Sequence, residues 1–163
     1  MKKIIIGVIA VIIVLASILG IKQMKASKVR EAEVKIEQSN KEAGVRPKQA
    51  ELDDLIRNYR NIYVNLVNDK ELDFSFLDNV MDKNSAYYKS VIEDITNKRK
   101  ANIKLQINNI DVGPLIEDSS IYKIQVNESI LISNGKDEDY KSSGFYIVKI
   151  NDSNIKISDY AEK

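Results

Sequence analysis

Residues 121–133 read IYKIQVNESILIS, and their alternation decides the fold. Tyr122, Ile124, Val126, Ile130 and Ile132 fall on one side, with Lys123, Gln125, Asn127 and Ser129 on the other. A period of two is what a strand with one face on an apolar core requires. Glu128 is the one polar intruder on the apolar side, between Val126 and Ile130. A carboxylate there is costly to bury unless it is paired or opens on a mouth. The stretch therefore predicts a strand and supplies the first candidate for a site.

Toward the C-terminus, Asn134-Gly135 signals a hairpin turn, which the charged run Lys136-Asp137-Glu138-Asp139 is expected to lengthen. Two further strands are expected at about 140–150 and 155–160, joined by a tight turn over 151–154. Toward the N-terminus, Ile103, Leu105 and Ile107 alternate, Asn108-Asn109 breaks the phase as a bulge would, and Gly113-Pro114 is expected to turn the chain.

Ahead of Ala101 the period is 3.6. Leu52, Leu55, Ile56, Tyr59, Ile62, Tyr63, Leu66 and Val67 share one helical face. Phe74, Phe76, Leu77, Val80 and Met81 suggest a short second helix. Asn84 or Ser85 caps a third, carrying Tyr88, Val91, Ile92 and Ile95. Three helices followed by four antiparallel strands predict an α+β domain whose curved sheet packs against helices on one face.

The N-terminus has a different character. Ile4–Ile21 is a run of 18 uncharged residues directly behind Lys2 and Lys3. As a helix it spans about 27 Å, close to the hydrocarbon core of a bilayer. No A-x-A-like cleavage site follows Ile21, so the run is read as an uncleaved anchor rather than a signal peptide. A short N-terminal flank is expected to stay in the cytoplasm while the rest is exported. Residues 27–42, SKVREAEVKIEQSNKE, are mostly helix formers with too thin an apolar stripe for a core, and Gly44 and Pro47 break the pattern. The expected layout is a membrane anchor over 1–25, a charged helical stalk over 26–47 and an extracytoplasmic domain over 48–163.

Charge follows this layout. Residues 22–50 carry eight Lys/Arg against four Glu, or +4, while 51–163 carry 15 Lys/Arg against 20 Asp/Glu, or −5. The basic part lies next to the expected membrane and its anionic headgroups, and an acidic domain argues against nucleic acid as a partner. The chain contains no Cys and no His, which removes disulfides, thiol nucleophiles and the usual zinc ligands. No cofactor or metal is expected.

The long amphipathic helix, Asn68-Asp69 with Leu72 and Phe74 behind it, Asn84-Ser85 with Tyr87-Tyr88, Val126-x-Glu128, Tyr146-x-Val148 and Lys156-Ile157-Ser158 together resemble the C-terminal domain of TcaA-like and YvbJ-like membrane proteins of Gram-positive bacteria. The resemblance covers about residues 50–163 and implies a cone-shaped, nuclear transport factor 2-like fold. It also implies a non-enzymatic role in the cell envelope. The chain departs from that family in lacking the cysteines of its cytoplasmic zinc ribbon.

Four residues are candidates for a pocket: Glu128, Tyr59, Tyr63 and Tyr146. Each has a structural alternative, the acid as a satisfied internal pair and the tyrosines as core residues with hydroxyls reaching the surface. Asp159, in phase with Ile155 and Ile157, is a candidate second acid. Lys98, Arg99 and Lys100 are candidates for contact with a partner or an anionic wall polymer such as teichoic acid, or they complement the C-terminal end of the third helix. The expected function is a membrane-anchored binding protein of the envelope, with homo-oligomers allowed. The alternatives are a bitopic scaffold of a conjugation or type IV-like secretion machine, and a small isomerase or dehydratase using Glu128 with Tyr59 or Tyr63.

Overall fold

The computed structural model describes residues 31, 34–41, 44, 46–119, 121–151 and 154–163. The expected anchor, and the stalk up to residue 30, lie outside the described residues. Among those described, no helix is long and apolar enough to cross a membrane. The chain divides into two compact units, Met1–Lys35 and Ile36–Lys163, and the fold below is that of the second.

Its first long element is helix α2 (Gln49–Asn68), preceded by a helix described over 34–41 (α1). α2 starts where Glu51 turns back to accept the Lys48 amide at 3.0 Å, satisfying one of the open donors of the first turn. Its apolar stripe is buried as the spacing predicts, with Leu52, Ile56 and Leu66 fully enclosed. Each such side chain contributes about 1.5–3 kcal/mol relative to exposure. The helix ends at Asp69, which is extended, and Arg99 closes that end: its Nε donates to Leu66 O at 2.5 Å and its Nη2 to Asp69 O and Leu72 O at 2.9 Å.

The expected second helix is a 3-10 turn, Phe74–Asn79, opened by Asp73 accepting the Ser75 amide at 2.7 Å. It closes the core with Leu77, Val80 and Met81. Helix α3 (Ala86–Lys100) starts at Ser85, whose hydroxyl accepts the Tyr88 amide at 3.0 Å, and buries Val91 and Ile95.

Four strands follow, β1 (Lys104–Asp118), β2 (Ile121–Ser133), β3 (Asp137–Asn151) and β4 (Asn154–Glu162), paired antiparallel in the order β1-β2-β3-β4. The expected phase break at Asn108-Asn109 is a register shift between Ile107 and Asn109. Two expectations give way. Gly113-Pro114 is a second register shift inside β1, between Val112 and Leu115, and not a turn. Proline lacks the ladder donor, but on an edge strand at a bulge nothing is lost. The Gln49 side chain holds this bulge, donating to Gly113 O at 3.0 Å and accepting from Leu115 N at 2.7 Å. The charged run does not lengthen the hairpin either, because Ser133 already pairs with Asp137 and the run opens β3.

Tyr122, Ile124, Val126 and Ile130 of β2 and Tyr146, Val148 and Ile150 of β3 join the buried residues of α2 and α3 in the main core. The opposite face carries a small separate cluster of Ile36, Ile121 and Ile147. Ile36, expected on a stalk too thin to pack, is 4% exposed, and the compact unit begins with it, ahead of residue 48. Buried Asn40 fixes this cluster: its amide donates to Val148 O at 3.3 Å and its oxygen accepts from Ile150 N at 2.7 Å. β2 begins at Ile121, and Tyr122 pairs with Val148, so β2 stops short of Ile150. A side-chain amide supplies the partner that the missing strand would have given.

Candidate functional site

Glu128 lies in the middle of β2, opposite Ile110 on one side and Ser142 on the other. Its side chain is 10% exposed and meets the guanidinium of Arg60, itself 7% exposed, with Nε 2.7 Å from Oε2. Arg60 arrives there because it continues the row Leu52, Ile56, Arg60, Val64 at i+4 along the buried face of α2. The contact is an ion pair without an aligned hydrogen bond: among the described residues, neither Arg60 Nε nor Glu128 Oε2 has a hydrogen-bond partner, although both atoms are buried. The other carboxylate oxygen accepts the Ser142 hydroxyl at 3.1 Å.

Tyrosines surround the pair. The Arg60 guanidinium lies 4.6 Å from the centre of the Tyr63 ring and 5.7 Å from that of Tyr59, within cation–π range. Tyr59 meets Tyr146 edge to face at 5.6 Å, and Tyr146 meets Tyr160 at 4.9 Å. Tyr160 in turn stacks on Tyr87 at 6.1 Å. The hydroxyls are tied as well: Tyr59 and Tyr87 share a bond at 3.1 Å, and Tyr63 donates to Asp94, which also pairs with Lys98.

Gly144 makes room for Tyr160. A Cβ at that position would lie 2.3 Å from its hydroxyl oxygen, so only glycine lets the ring cross the strand there.

Burial raises the hydroxyls of Tyr59, Tyr87 and Tyr146 above the ordinary phenol value. Tyr63 is raised by burial and by its bond to Asp94. All four are neutral donors at ordinary pH. Burial alone would lower Arg60, but the Glu128 carboxylate beside it opposes this, and the guanidinium remains a permanent cation.

These side chains wall a cavity of about 280 Å³ whose rim is completed by Ser90, Tyr140 and Glu162. A second cavity of about 220 Å³, reached by Lys98, Ile130 and Ile132, shares Arg60, Tyr63, Glu128 and Tyr140 with the first. The four pocket candidates, Glu128, Tyr59, Tyr63 and Tyr146, thus line one cavity. Asp159 does not join them. A register shift between Ile147 and Val148 of β3 and their β4 partners turns the phase after Ile157, so Tyr160 rather than Asp159 reaches the cavity. The basic cluster is divided: Lys98 pairs with Asp94, Arg99 is consumed in closing α2, and Lys100 is exposed.

Arg60, Tyr87 and Tyr160 went unrecognised in the sequence. The signal for Arg60 was present in its i+4 spacing from Ile56, within the apolar stripe. Among the described residues, no group of three or more Asp or Glu is placed to hold a metal ion.

The architecture and the site can be compared with known proteins. A family model described as the TcaA protein NTF2-like domain matches residues 48–161. The intermembrane space region of the chloroplast protein ARC6 superposes with a TM-score of 0.57 at 12% identity, covering 72% of this chain and 98% of that one. The protein TraH from the Gram-positive conjugative plasmid pIP501 superposes with a TM-score of 0.56 at 16% identity, covering 73% of this chain and 96% of that one. At such identities the likeness is one of fold. No curated protein sequence matches the chain.

Proposed function

Because the chain belongs, through residues 48–161, to the family of the TcaA protein NTF2-like domain, we propose that it is a single-pass protein of the bacterial cell envelope whose domain binds rather than catalyses. Residues 1–25 anchor it, 26–47 lead away from the membrane, and the domain works outside the cytoplasm. The uncharged run Ile4–Ile21 and the basic segment behind it support this topology.

The observation that carries the non-catalytic reading is the state of Glu128. Its carboxylate faces a permanent cation at 2.7 Å and a serine hydroxyl at 3.1 Å. A general base needs a lone pair aimed at a substrate proton. Glu128 is instead fixed in an internal pair, with neutral tyrosine hydroxyls around it, an arrangement suited to holding a ligand in a partly closed cavity.

Protease treatment of intact and lysed cells tests the topology. Loss of the domain from intact cells is the expected result, and protection until lysis would overturn the reading. A second reading, a scaffold subunit of a conjugation or type IV-like machine, draws on the fold shared with TraH. It requires self-association and co-purification with other membrane subunits, and a detergent-solubilised monomer without such companions would count against it.

A further inference from the structure

The cavity beside Arg60 is a slot with a floor, a roof and a back wall. Its floor is the inner face of β3 and β4, where Tyr140, Ser142, Gly144 and Tyr146 follow at a spacing of two and Tyr160 and Glu162 do the same on the neighbouring strand. Gly144 pairs with Glu162 and leaves the space that the Tyr160 ring fills, so Glu162 is the next residue along the floor from that ring. Tyr87, Ser90 and Asp94 of α3 form the roof, and the Arg60–Glu128 pair closes the back.

Two biases are built into these walls. The first is charge. Arg60 pairs with Glu128 and Lys98 with Asp94, while Glu162 makes no ion pair among the described residues, which leaves one negative charge at the rim. Tyr160 feels the same sign: burial raises its hydroxyl above the ordinary phenol value, the carboxylates of Glu128 and Glu162 raise it further, and Arg60 opposes them less strongly. The second bias is in the hydrogen bonds. A hydroxyl has one hydrogen to give and two lone pairs to offer. Ser142 gives its hydrogen to Glu128 at 3.1 Å and Ser90 gives its own to the Tyr87 carbonyl at 2.8 Å, so what each has left for an occupant is acceptor capacity. Deeper in, Tyr146 is 2% exposed and its hydroxyl makes no hydrogen bond among the described residues, so its partner has to come from the cavity.

An occupant that meets both biases is positive and rich in N–H donors. A primary ammonium is such a group, with one charge, three donors and no acceptor. The rings of Tyr87, Tyr140 and Tyr160 give apolar surface to a short methylene chain behind it, and aromatic faces attract a cation within about 6 Å. At about 280 Å³ the slot is at the small end for a ligand site and takes a chain of a few carbons.

We propose that this slot binds the primary ammonium end of an alkylamine, its N–H groups donating to Glu162, Ser142 and Ser90 and its methylenes lying against Tyr87, Tyr140 and Tyr160. The Arg60–Glu128 contact stays closed throughout. The proposal rests on the reading of the cavity as a binding site and needs no particular membrane orientation. A free amine and a lysine side chain of another polypeptide present the same group.

The test uses the full chain in detergent near neutral pH, where an alkylamine is protonated. It is titrated with n-butylamine, n-butanol, butyltrimethylammonium and Nα-acetyl-lysine methylamide. The chain has no Trp, and six of its eight Tyr line the slot, so intrinsic fluorescence reports on it. The expected result is saturable binding of n-butylamine, about tenfold or more tighter than n-butanol, which lacks the charge, or butyltrimethylammonium, which keeps the charge but has no N–H to give. Glu162→Gln, at an exposed position, should weaken it about threefold or more with the fold intact. Comparable binding of the lysine derivative supports a polypeptide lysine as the source, and its exclusion supports a free amine. Equal affinities for n-butylamine and n-butanol, equal or tighter binding of butyltrimethylammonium, an unaltered affinity in Glu162→Gln, or no saturable response to any of the four would each overturn the proposal, the last showing a slot filled by water alone. Failure here alongside an externally exposed domain removes the ligand and leaves the topology. Saturable amine binding by a domain protected in intact cells removes the topology and leaves the ligand.

Discussion

The two faces of the sheet are held in opposite ways. The inner face meets α2 and α3 through a continuous apolar cluster, and that enclosure is what allows a guanidinium and a carboxylate to be buried within it. The outer face, where α1 packs, has three isoleucines and the Asn40 carboxamide, with Ser39 adding a bond from its hydroxyl to Ile150 O at 2.8 Å. On one face packing comes first and polar groups exploit it. On the other, a few directed bonds do the work that area cannot.

The sharpest way to break this comparison is to remove one member of the inner pair. Arg60→Met leaves Glu128 buried without its cation and should cost about 3–5 kcal/mol, read from urea denaturation. The double variant Arg60→Met, Glu128→Leu should recover most of that, because the penalty lies in the stranded charge. If single and double variants are equally unstable, packing rather than charge governs this site.

Gly144→Ala tests the inner face sterically. Its Cβ collides with a Tyr160 ring that is stacked on Tyr87 and packed at a tilt against Tyr146, and a loss of about 1–3 kcal/mol is expected. Tyr160→Ala should relieve the collision, so the two substitutions together should cost less than their sum.

On the outer face, Asn40→Ala removes both bonds to β3 and should cost about 1–2 kcal/mol. The more telling measurement is hydrogen exchange at the Ile150 amide, which should become fast while the amides of Ile124 and Val126 keep their protection. Uniform acceleration would mean that the two faces open together. The smallest effect is expected from Ser85→Ala, about 1 kcal/mol, since it removes one cap from α3 and touches neither face.

Alkali should act on the inner face first. Tyr59, Tyr63, Tyr87 and Tyr146 have folded-state pKa values raised above those of the unfolded chain. Below the unfolded value, about 10, their contribution is complete. Above it the unfolded state releases protons that the folded state keeps, so stability falls with rising pH. Tyr88, raised by burial and its bond to Asp78, is pushed up to about 12 and extends the same window. Phenolate absorbance should therefore rise with the unfolding transition for the buried tyrosines. A large rise while the fold persists would contradict their burial.

Much of this architecture was legible in the sequence because it depends on short-range periodicity. The alternation over 121–133 and the stripe over 52–67 each name their buried face, and Glu128 stands out against its neighbours. Arg60 did not, since a charge on an apolar stripe is discounted until its partner is known, and that partner lies on a different element. Bulges hid the rest. At Pro114 a turn signal is absorbed into an edge strand, and in β4 a shift of one residue exchanges Asp159 for Tyr160. Ile36 reads as part of a solvated stalk because three apolar residues brought together from α1, β2 and β3 form a cluster that no local period announces.

Three carboxamides, those of Gln49, Asn40 and Asn68, have a common consequence for assembly. Gln49 occupies the open edge of β1 at Gly113 and Leu115, and Asn68 does so at Leu105, donating to its carbonyl and accepting from its amide, each at 2.8 Å. Arg57 takes the Ile110 carbonyl between them at 3.1 Å, and Asn40 fills the gap beside β3. An incoming strand would find these peptide groups already spoken for. Copies of this domain that meet are thereby kept from fusing their sheets through β1.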